Sequence, residues 1–156
     1  MTEFKHVLVP TDFGASSQAA LEIALDLVKK YDSRLTVVHT YEIPAYTYEG
    51  MAYTAFDLLT PVIEAARTQF DATMKAIVER CPGAKGCLRL GSPWQEILAV
   101  REESKADLIV MGTHGRKGLA HAVIGSVAEK IVRTSSVPVL TVHGAEAPES
   151  RPSSQH

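Results

Sequence analysis

The sequence has little of what marks several specialised classes of protein. It contains only two cysteines, Cys81 and Cys87, which favour free thiols in a reducing compartment over a disulfide framework. No apolar run approaches the ~20 residues of a membrane helix, and the opening MTEFKHVLVP lacks a signal-peptide pattern. The net charge is −2 without a basic block, which argues against nucleic acid as a partner. We therefore expect a soluble cytoplasmic protein that binds neither membranes nor nucleic acid.

Five short apolar runs alternate with helical patterns along the chain. Several of these runs are continuous, which is typical of strands buried on both faces of a sheet. Alternation of strand and helix predicts a single-domain α/β fold with a five-stranded, parallel, doubly wound, Rossmann-like sheet, strand order 3-2-1-4-5, and about four helices. The predicted strands are residues 6–10, 35–40, 87–91, 107–112 and 137–142.

Apolar spacing and start signals predict where the helices lie. In the first helix, a stripe at spacings of three and four includes Ala20, Ile23, Ala24, Leu27, Val28 and Tyr31. The second is expected to begin near Thr60-Pro61, because proline suits a first helical turn. The segments 92–95 (SPWQ) and 126–129 (SVAE) predict capping boxes that open the third and fourth helices.

Two segments do not fit this alternation. Residues 41–59 hold four of the five tyrosines without a clean period, and they are either a surface excursion packed on the sheet edge or a flap that covers a ligand. Residues 144–156 are polar and contain prolines, so we predict a disordered tail after a domain of residues 1–143.

A cluster of four glycines lies in MGTHGRKGLAHAVIGS, residues 111–126. In a doubly wound sheet, ligands bind at the carboxyl ends of the strands where strand order reverses. The first strand, followed by Thr11-Asp12, and the fourth strand, ending at Gly112, would flank that crevice. Gly112 and Gly115 would let the backbone turn tightly and present bare N–H groups there.

The start of the fourth helix points to an anionic ligand. Gly125-Ser126 would bring the unsatisfied N–H groups of that helix to the same crevice, where they favour phosphate. Arg116 and Lys117 add positive charge nearby. The ligand expected from this pattern is the phosphate chain of a nucleotide, although glycines at a strand end are also compatible with a purely structural turn.

Comparison with known phosphate-binding motifs limits the class of nucleotide site that this sequence can form. GxxxxGK(S/T) and GxGxxG are both absent, so a P-loop and a dinucleotide fingerprint are not supported. Gly112-x2-Gly115-x9-Gly125-Ser126 instead matches the G-x2-G-x9-G-S/T signature, and the chain resembles the ATP-binding universal stress proteins. HVLVPTDFG, GSPWQEIL, ADLIVMGTHGRKGL and GSVAEKIVRTSSVPVLTV are similar to that family in kind and order. The resemblance covers about residues 4–142 and weakens across 41–59.

This resemblance implies a ligand, a partner and a set of contacts. It implies ATP bound with Mg²⁺ or Mn²⁺, and a homodimer formed through the last strand, 137–142. It assigns no residue as a direct metal ligand. Carried over by position, Gly112, Gly115, Gly125 and Ser126 would hold the phosphates and ribose. Pro10, Thr11 and Asp12 would line the adenosine side, Thr40 would contact the adenine through its backbone, and Val127 would supply a further backbone contact. Met111, His114 and Arg116 complete the predicted binding residues.

The remaining candidate residues do not identify a reaction. Asp12 is interpreted as a partner for a hydroxyl or a metal-bound water, with a turn aspartate as the alternative. His39 is expected to be a hydrogen-bonded core histidine. Ser126 has no His-Asp partnership or GxSxG elbow, and no catalytic base for phosphoryl transfer is identifiable. The predicted function is a homodimeric ATP-binding stress-response module. The alternatives are a slow ATPase or autophosphorylating enzyme and a nucleotide-free interaction protein.

Overall fold

The computed structural model describes residues 3–43, 54–114 and 124–144. In that part of the chain, strands and helices alternate from β1 to β5. All strands are parallel in one sheet of order β3-β2-β1-β4-β5, which confirms the predicted α/β fold and strand order. The elements are β1 (His6–Pro10), α1 (Ala15–Tyr31), β2 (Arg34–Tyr41), α2 (Thr54–Arg80), β3 (Lys85–Leu90), α3 (Pro93–Ser104), β4 (Leu108–Gly112), α4 (Ser126–Thr134) and β5 (Val139–Val142).

The central strand β1 is buried throughout and pairs unequally with its neighbours. It pairs with β2 along its whole length, but with β4 only at Val7–Leu108 and Leu8–Ile109. The amide of Thr11 donates to Val38 of β2 at 2.8 Å, so the backbone of Pro10, one residue earlier, faces β4. Proline has no N–H to donate, and the β1–β4 ladder therefore ends before the carboxyl ends of these strands.

Helices cover both faces of the sheet, and each face has its own core. On one face α1 and α2 pack against alternate residues of β1, with Val7, Val9, Leu21 and Phe70 buried together. The other face is covered by α3 and α4, and residues of these helices and of β1, β2 and β4 are buried together: Leu8, Val38, Ile97, Ile109, Met111 and Ile131. Full burial of such aliphatic side chains contributes about 1.5–3 kcal/mol each, which explains why the strand sequences are continuously apolar.

Two helices differ from their predicted form. In α1, Ile23 and Tyr31 are exposed, while Leu21 and Leu25 are buried instead, so the apolar stripe is rotated from the predicted one. The helix α2 begins at Thr54, and the prediction of a start near Thr60-Pro61 is wrong. Pro61 lies inside α2, where it removes one backbone hydrogen bond without ending the helix. Part of the 41–59 segment is therefore helical, and residues 44–53 lie outside the described residues.

The two predicted capping boxes are not formed. Ser92 is the N-cap of α3 and Pro93 follows it as expected, but the serine side chain makes no cap hydrogen bond. At α4 the N-cap is Gly125, so Ser126 is the first helical residue rather than the cap. The S-x-x-E pattern predicted a helix start at the right place but shifted the cap by one residue.

The described chain ends against the beginning of α1. The amide of Gly144 donates to the hydroxyl of Ser16 at 3.1 Å; the rest of the predicted tail, 145–156, lies outside the described residues. Among the helices of the described ranges, none is long and apolar enough to cross a membrane.

Candidate functional site

A cavity of about 340 Å³ opens at the carboxyl ends of β1 and β4. The strand order reverses between these two strands, which is where doubly wound sheets bind ligands. The β1–β4 ladder ends after the Leu8–Ile109 pair, and this early end leaves room for the cavity. Its walls come from both strands, from β2, and from the first turns of α1, α3 and α4.

Every predicted cofactor-binding residue that the structure describes lines this cavity. Gly115 and Arg116 lie outside the described residues, so their positions remain predictions. The fold thus brings together segments that are far apart in sequence. The residues in the cavity wall are Pro10, Thr11, Asp12, Thr40, Met111, Gly112, His114, Gly125, Ser126 and Val127.

Several cavity residues were missed by sequence reasoning. Most are apolar or small residues whose patterns also indicate ordinary core or helix-start positions. Thr113 stands inside the glycine motif, where neither its residue type nor its spacing distinguishes it from an ordinary turn residue. The additional lining residues are Ser17, Val38, Pro93, Ile97, Thr113 and Ala128.

The turn between β1 and α1 is built around Asp12. Its Oδ1 accepts hydrogen bonds from the Gly14 amide and the Ser17 hydroxyl, both at 2.8 Å. Phe13 between them has a left-handed backbone with φ 64°, which is strained for an aromatic residue, and its amide donates to Thr11 Oγ1 at 3.1 Å. Asp12 therefore has the turn role that the sequence offered as the alternative, while it also lines the cavity.

Two groups near this turn have mainly structural contacts. His39 donates from Nδ1 to the Thr11 carbonyl at 2.7 Å and packs against the Phe13 ring at a centroid distance of 4.3 Å, in agreement with the expected hydrogen-bonded histidine. Gly112 is the last residue of β4, and a Cβ there would lie 2.6 Å from the backbone carbon of Ser16. Close packing of α1, rather than a tight turn, thus requires this glycine.

The first turn of α4 presents backbone donors at the cavity. The Gly125 amide already donates to the Thr113 carbonyl at 2.6 Å, so it is not one of the bare amides. No side chain caps the helix, and among the described residues nothing accepts from the amides of Ser126, Val127 and Ala128. Three such donors at a positive helix end make a site for an anion.

A threonine and two histidines stand beside this turn. Thr113 is 1% exposed, and its Oγ1 lies 2.9 Å from His114 Nδ1 and 3.0 Å from His143 Nδ1. The Nε2 atom of His114 is buried and has no hydrogen-bond partner within the described residues. A buried nitrogen of this kind calls for a partner, and His114 lines the cavity.

Comparison with known proteins identifies the family. A sequence model of the Universal stress protein family matches residues 3–143, nearly the whole chain. The chain belongs to the universal stress protein family. A universal stress protein of Methanocaldococcus jannaschii is 30% identical over 142 residues, which cover 89% of this chain and 82% of that protein.

Solved universal stress proteins share the fold. The structure of the universal stress protein UspA from Lactobacillus plantarum has a TM-score of 0.78 at 21% identity and covers 91% of this chain and 99% of that one. A universal stress protein solved in complex with cAMP has a TM-score of 0.66 at 21% identity over 92% of this chain and all of that one (100%). An Arabidopsis thaliana family member solved with AMP bound has a TM-score of 0.63 at 19% identity, covering 96% and 97%.

Proposed function

We propose that this universal stress protein binds ATP, together with Mg²⁺ or Mn²⁺, in the cavity between β1 and β4. It would act in the cytoplasm as a homodimeric module whose nucleotide occupancy is used in a stress response. The observation that carries the proposal is the uncapped first turn of α4 at the cavity wall. Two relatives of the same fold, solved with cAMP and with AMP, support an adenine nucleotide as the ligand.

The cavity lining includes both apolar side chains and backbone donors. Val38, Ile97 and Met111 are buried apolar residues at its wall, and they would pack against the flat faces of a base. The α4 amides would hold the phosphates. Apolar walls with a few convergent polar groups are the usual composition of small-molecule sites.

The divalent cation would depend on the nucleotide itself. Across the described ranges, no group of three or more His, Cys, Asp and Glu side chains could hold a metal ion, and Asp12 is the carboxylate at the cavity wall. Mg²⁺ is commonly held by one or two carboxylates together with substrate phosphates and waters. Asp12 therefore fits a metal–nucleotide complex, in which the cation screens phosphate charge, better than a metal site made by the protein alone.

The binding proposal is tested by equilibrium titration of the full chain with ATP, AMP and cAMP. We expect micromolar, selective binding of at least one adenine nucleotide. Absence of binding by all of them would leave a nucleotide-free interaction protein as the better interpretation. Sustained multiple turnover of ATP by the purified chain would instead favour the enzyme alternative.

A pair of variants at one position tests the α4 amides. Ser126→Pro removes the first amide of the helix, and proline is well accepted at that position. Gly125 has φ −63° and ψ 157°, the extended conformation preferred before proline, so the fold should be retained. We expect Ser126→Pro to weaken ATP binding roughly tenfold, because hydrogen bonds to charged groups contribute about 1.5–3 kcal/mol.

The matched control is Ser126→Ala, which keeps the amide and removes only the hydroxyl. If the alanine variant loses as much affinity as the proline variant, the hydroxyl is the important group. If neither variant changes affinity, the first turn of α4 does not hold the phosphates.

A further inference from the structure

The backbone of Thr113 is held from two sides, which fixes the position of its hydroxyl. Its amide donates to the carbonyl of Val142, the last residue of β5, at 3.0 Å. Its carbonyl accepts from Gly125, the N-cap of α4, at 2.6 Å. The side chain of this buried residue therefore lies at a defined point between β5 and the cavity.

The Thr113 hydroxyl has three possible hydrogen-bond partners but only one proton to donate. Oγ1 lies 2.9 Å from His114 Nδ1, 3.0 Å from His143 Nδ1 and 3.5 Å from the Val142 carbonyl. A hydroxyl donates one hydrogen bond and can accept two. If its proton goes to one imidazole, the other imidazole must donate its own Nδ1–H to Oγ1. Two neutral histidines on this hydroxyl then have opposite tautomers.

The alternative arrangement directs the hydroxyl proton to Val142. Both histidines would then carry Nδ1–H, and both would leave Nε2 without a proton. The distance disfavours this arrangement, because 3.5 Å is at the limit for a hydrogen bond whereas 2.9 and 3.0 Å are ordinary lengths. His114 Nε2 is a donor only when the Thr113 hydroxyl donates to His114 Nδ1, and it is not a donor when the hydroxyl proton goes to His143 or to Val142.

The tautomer of His114 determines what the cavity can bind. An anionic oxygen needs a donor, and His114 Nε2 is buried with no partner in the described part of the chain. A buried polar group without a partner is destabilising, and a ligand oxygen that accepts from Nε2–H would supply the partner. His143 is exposed and can exchange protons with water, so it can adopt either tautomer.

We propose that Thr113 is a positioning residue that fixes His114 as the Nε2–H tautomer, with His143 donating its Nδ1–H to the same hydroxyl. His114 thereby presents a hydrogen-bond donor to a phosphate oxygen of the bound nucleotide. The identity of this ligand rests on the proposed function, whereas the tautomers are a property of the free protein.

The first test is nuclear magnetic resonance of the full chain labelled with ¹⁵N-histidine, without ligand. In spectra recorded at about pH 8.5, two units above the ordinary pKa of histidine, long-range proton–nitrogen correlations report which ring nitrogen carries the proton. We expect Nε2–H on His114 and Nδ1–H on His143 in the parent chain. The nearly isosteric variant Thr113→Val should lose this reciprocity, and Thr113→Ser should retain it. Nδ1–H on His114 in the parent chain, or an unchanged His114 tautomer in Thr113→Val, would overturn the proposal.

The second test measures ATP affinity in the same variants. We expect Thr113→Val to bind ATP roughly tenfold more weakly, which corresponds to loss of one hydrogen bond to a charged group, and Thr113→Ser to restore it. Thr36→Val is the matched control, because Thr36 is also buried and its hydroxyl lies 2.8 Å from a histidine, His6 Nε2, at the opposite end of β1. That variant should lose stability but keep ATP affinity.

The outcomes separate this proposal from the proposed function. A folded Thr113→Val chain with the affinity of the parent would overturn the positioning role while leaving nucleotide binding intact. Failure of the parent chain to bind ATP, AMP or cAMP would overturn the proposed function, and the tautomers of the free protein would still decide whether Thr113 controls His114. Should Thr113→Val not fold, the parent spectrum still tests the proposal, because Nδ1–H on His114 would overturn it.

Discussion

At the scale of single residues, the site depends on a few positions with almost no steric freedom. Gly112 stands where β4 meets the start of α1, and an added Cβ would come within 2.6–2.8 Å of backbone and Cβ atoms of Ser16 and Ser17. Contacts this close to a backbone cannot be relieved by a rotamer change. The end of β4 and the start of α1 can therefore line one cavity only while residue 112 has no side chain.

We expect Gly112→Ala to lower the free energy of unfolding by about 1–3 kcal/mol, the usual cost of overpacking. Urea denaturation at fixed protein concentration measures this change. Gly83→Ala is the control, because a Cβ at Gly83 would have nothing within 4 Å, and it should stay near the parent value. Equal losses in both variants would contradict the close-packing argument.

A second residue-scale property is the buried histidine at the start of β1. His6 is 5% exposed; its Nδ1 donates to the Ser104 carbonyl at 2.9 Å, and its Nε2 lies 2.8 Å from Thr36 Oγ1. Burial, and after it the positive charge of Arg34, lowers the pKa of His6, while the Ser104 carbonyl and Asp107 oppose this. The neutral imidazole is thus the form that the folded chain favours.

We expect this histidine to make the fold less stable in mild acid. The pKa of His6 is lower in the folded than in the unfolded chain, so below about pH 6.5 the unfolded chain binds more protons. The stability that His6 contributes above that pH is lost as the pH falls. Urea denaturation between about pH 7.5 and 5.5 should show a shallower decline for His6→Gln than for the parent chain. An identical decline in the two would exclude His6 as the cause.

At the scale of elements, the helix ends differ in how much backbone strain they carry. The residues that follow α1 and α3, Asp32 and Lys105, have left-handed backbones with φ 52° and 59°. The residue after α4, Ser135, is extended. Glycine is the usual residue at a left-handed helix end, so α1 and α3 both end in a conformation that their residues disfavour.

Replacing Lys105 by glycine should relieve this strain. We expect Lys105→Gly to raise the free energy of unfolding by about 1 kcal/mol, in line with the cost of a left-handed conformation for other residues. Lys105→Ala removes the same exposed side chain but retains a Cβ, and thermal or urea denaturation should show no comparable gain. A similar gain in both variants would assign the effect to the lysine side chain rather than to the backbone.

The element scale also shows how far the sequence could be interpreted. Continuous apolar runs such as HVLVP predicted strands correctly, because a strand that is buried on both faces is apolar at successive positions and not only at alternate ones. The start of α2 was mispredicted, because Pro61 gives the same signal at a first turn as inside a helix when tertiary packing supports the helix. The cap of α4 was misplaced by one residue, because Gly125 has no side chain to mark it.

For the cavity, the sequence indicated the glycines and the strand ends but not the polar contacts. Thr113 could not be singled out, because its significance depends on His143, thirty positions away. Position 112 requires glycine because Ser16, on α1, packs closely against it. Contacts of this kind depend on the packed fold, whereas the resemblance to universal stress proteins identified the place where they meet.

At the scale of the whole molecule, each of the two edges of the sheet offers a surface through which two chains could associate. The edge strand β5 exposes Leu140 at 40%, and the opposite edge strand β3 exposes Leu90 at 49%. An exposed apolar strand edge is a surface on which a second chain can pair. The proposed homodimer uses β5 alone, so the two leucines offer a matched comparison.

We expect Leu140→Glu to convert the dimer to a monomer, because it places a charge in the centre of the proposed contact. Leu90→Glu makes the same chemical change at the other edge and should leave the dimer intact. Sedimentation velocity over a range of concentrations measures both. A parent chain that is monomeric throughout, or a dimer lost only in Leu90→Glu, would remove β5 from consideration.

The backbone hydrogen bond from Gly125 to Thr113 has a consequence for how such proteins diversify. It joins the ends of the intervening stretch at 2.6 Å, and each end is anchored separately, to β5 and to α4. Main-chain groups make the bond between Gly125 and Thr113. The bond from Thr113 to Val142 is likewise made by main-chain groups, so neither bond depends on the side chain at these positions. Substitutions around the cavity can therefore change ligand preference while the connection between β4, α4 and β5 is kept.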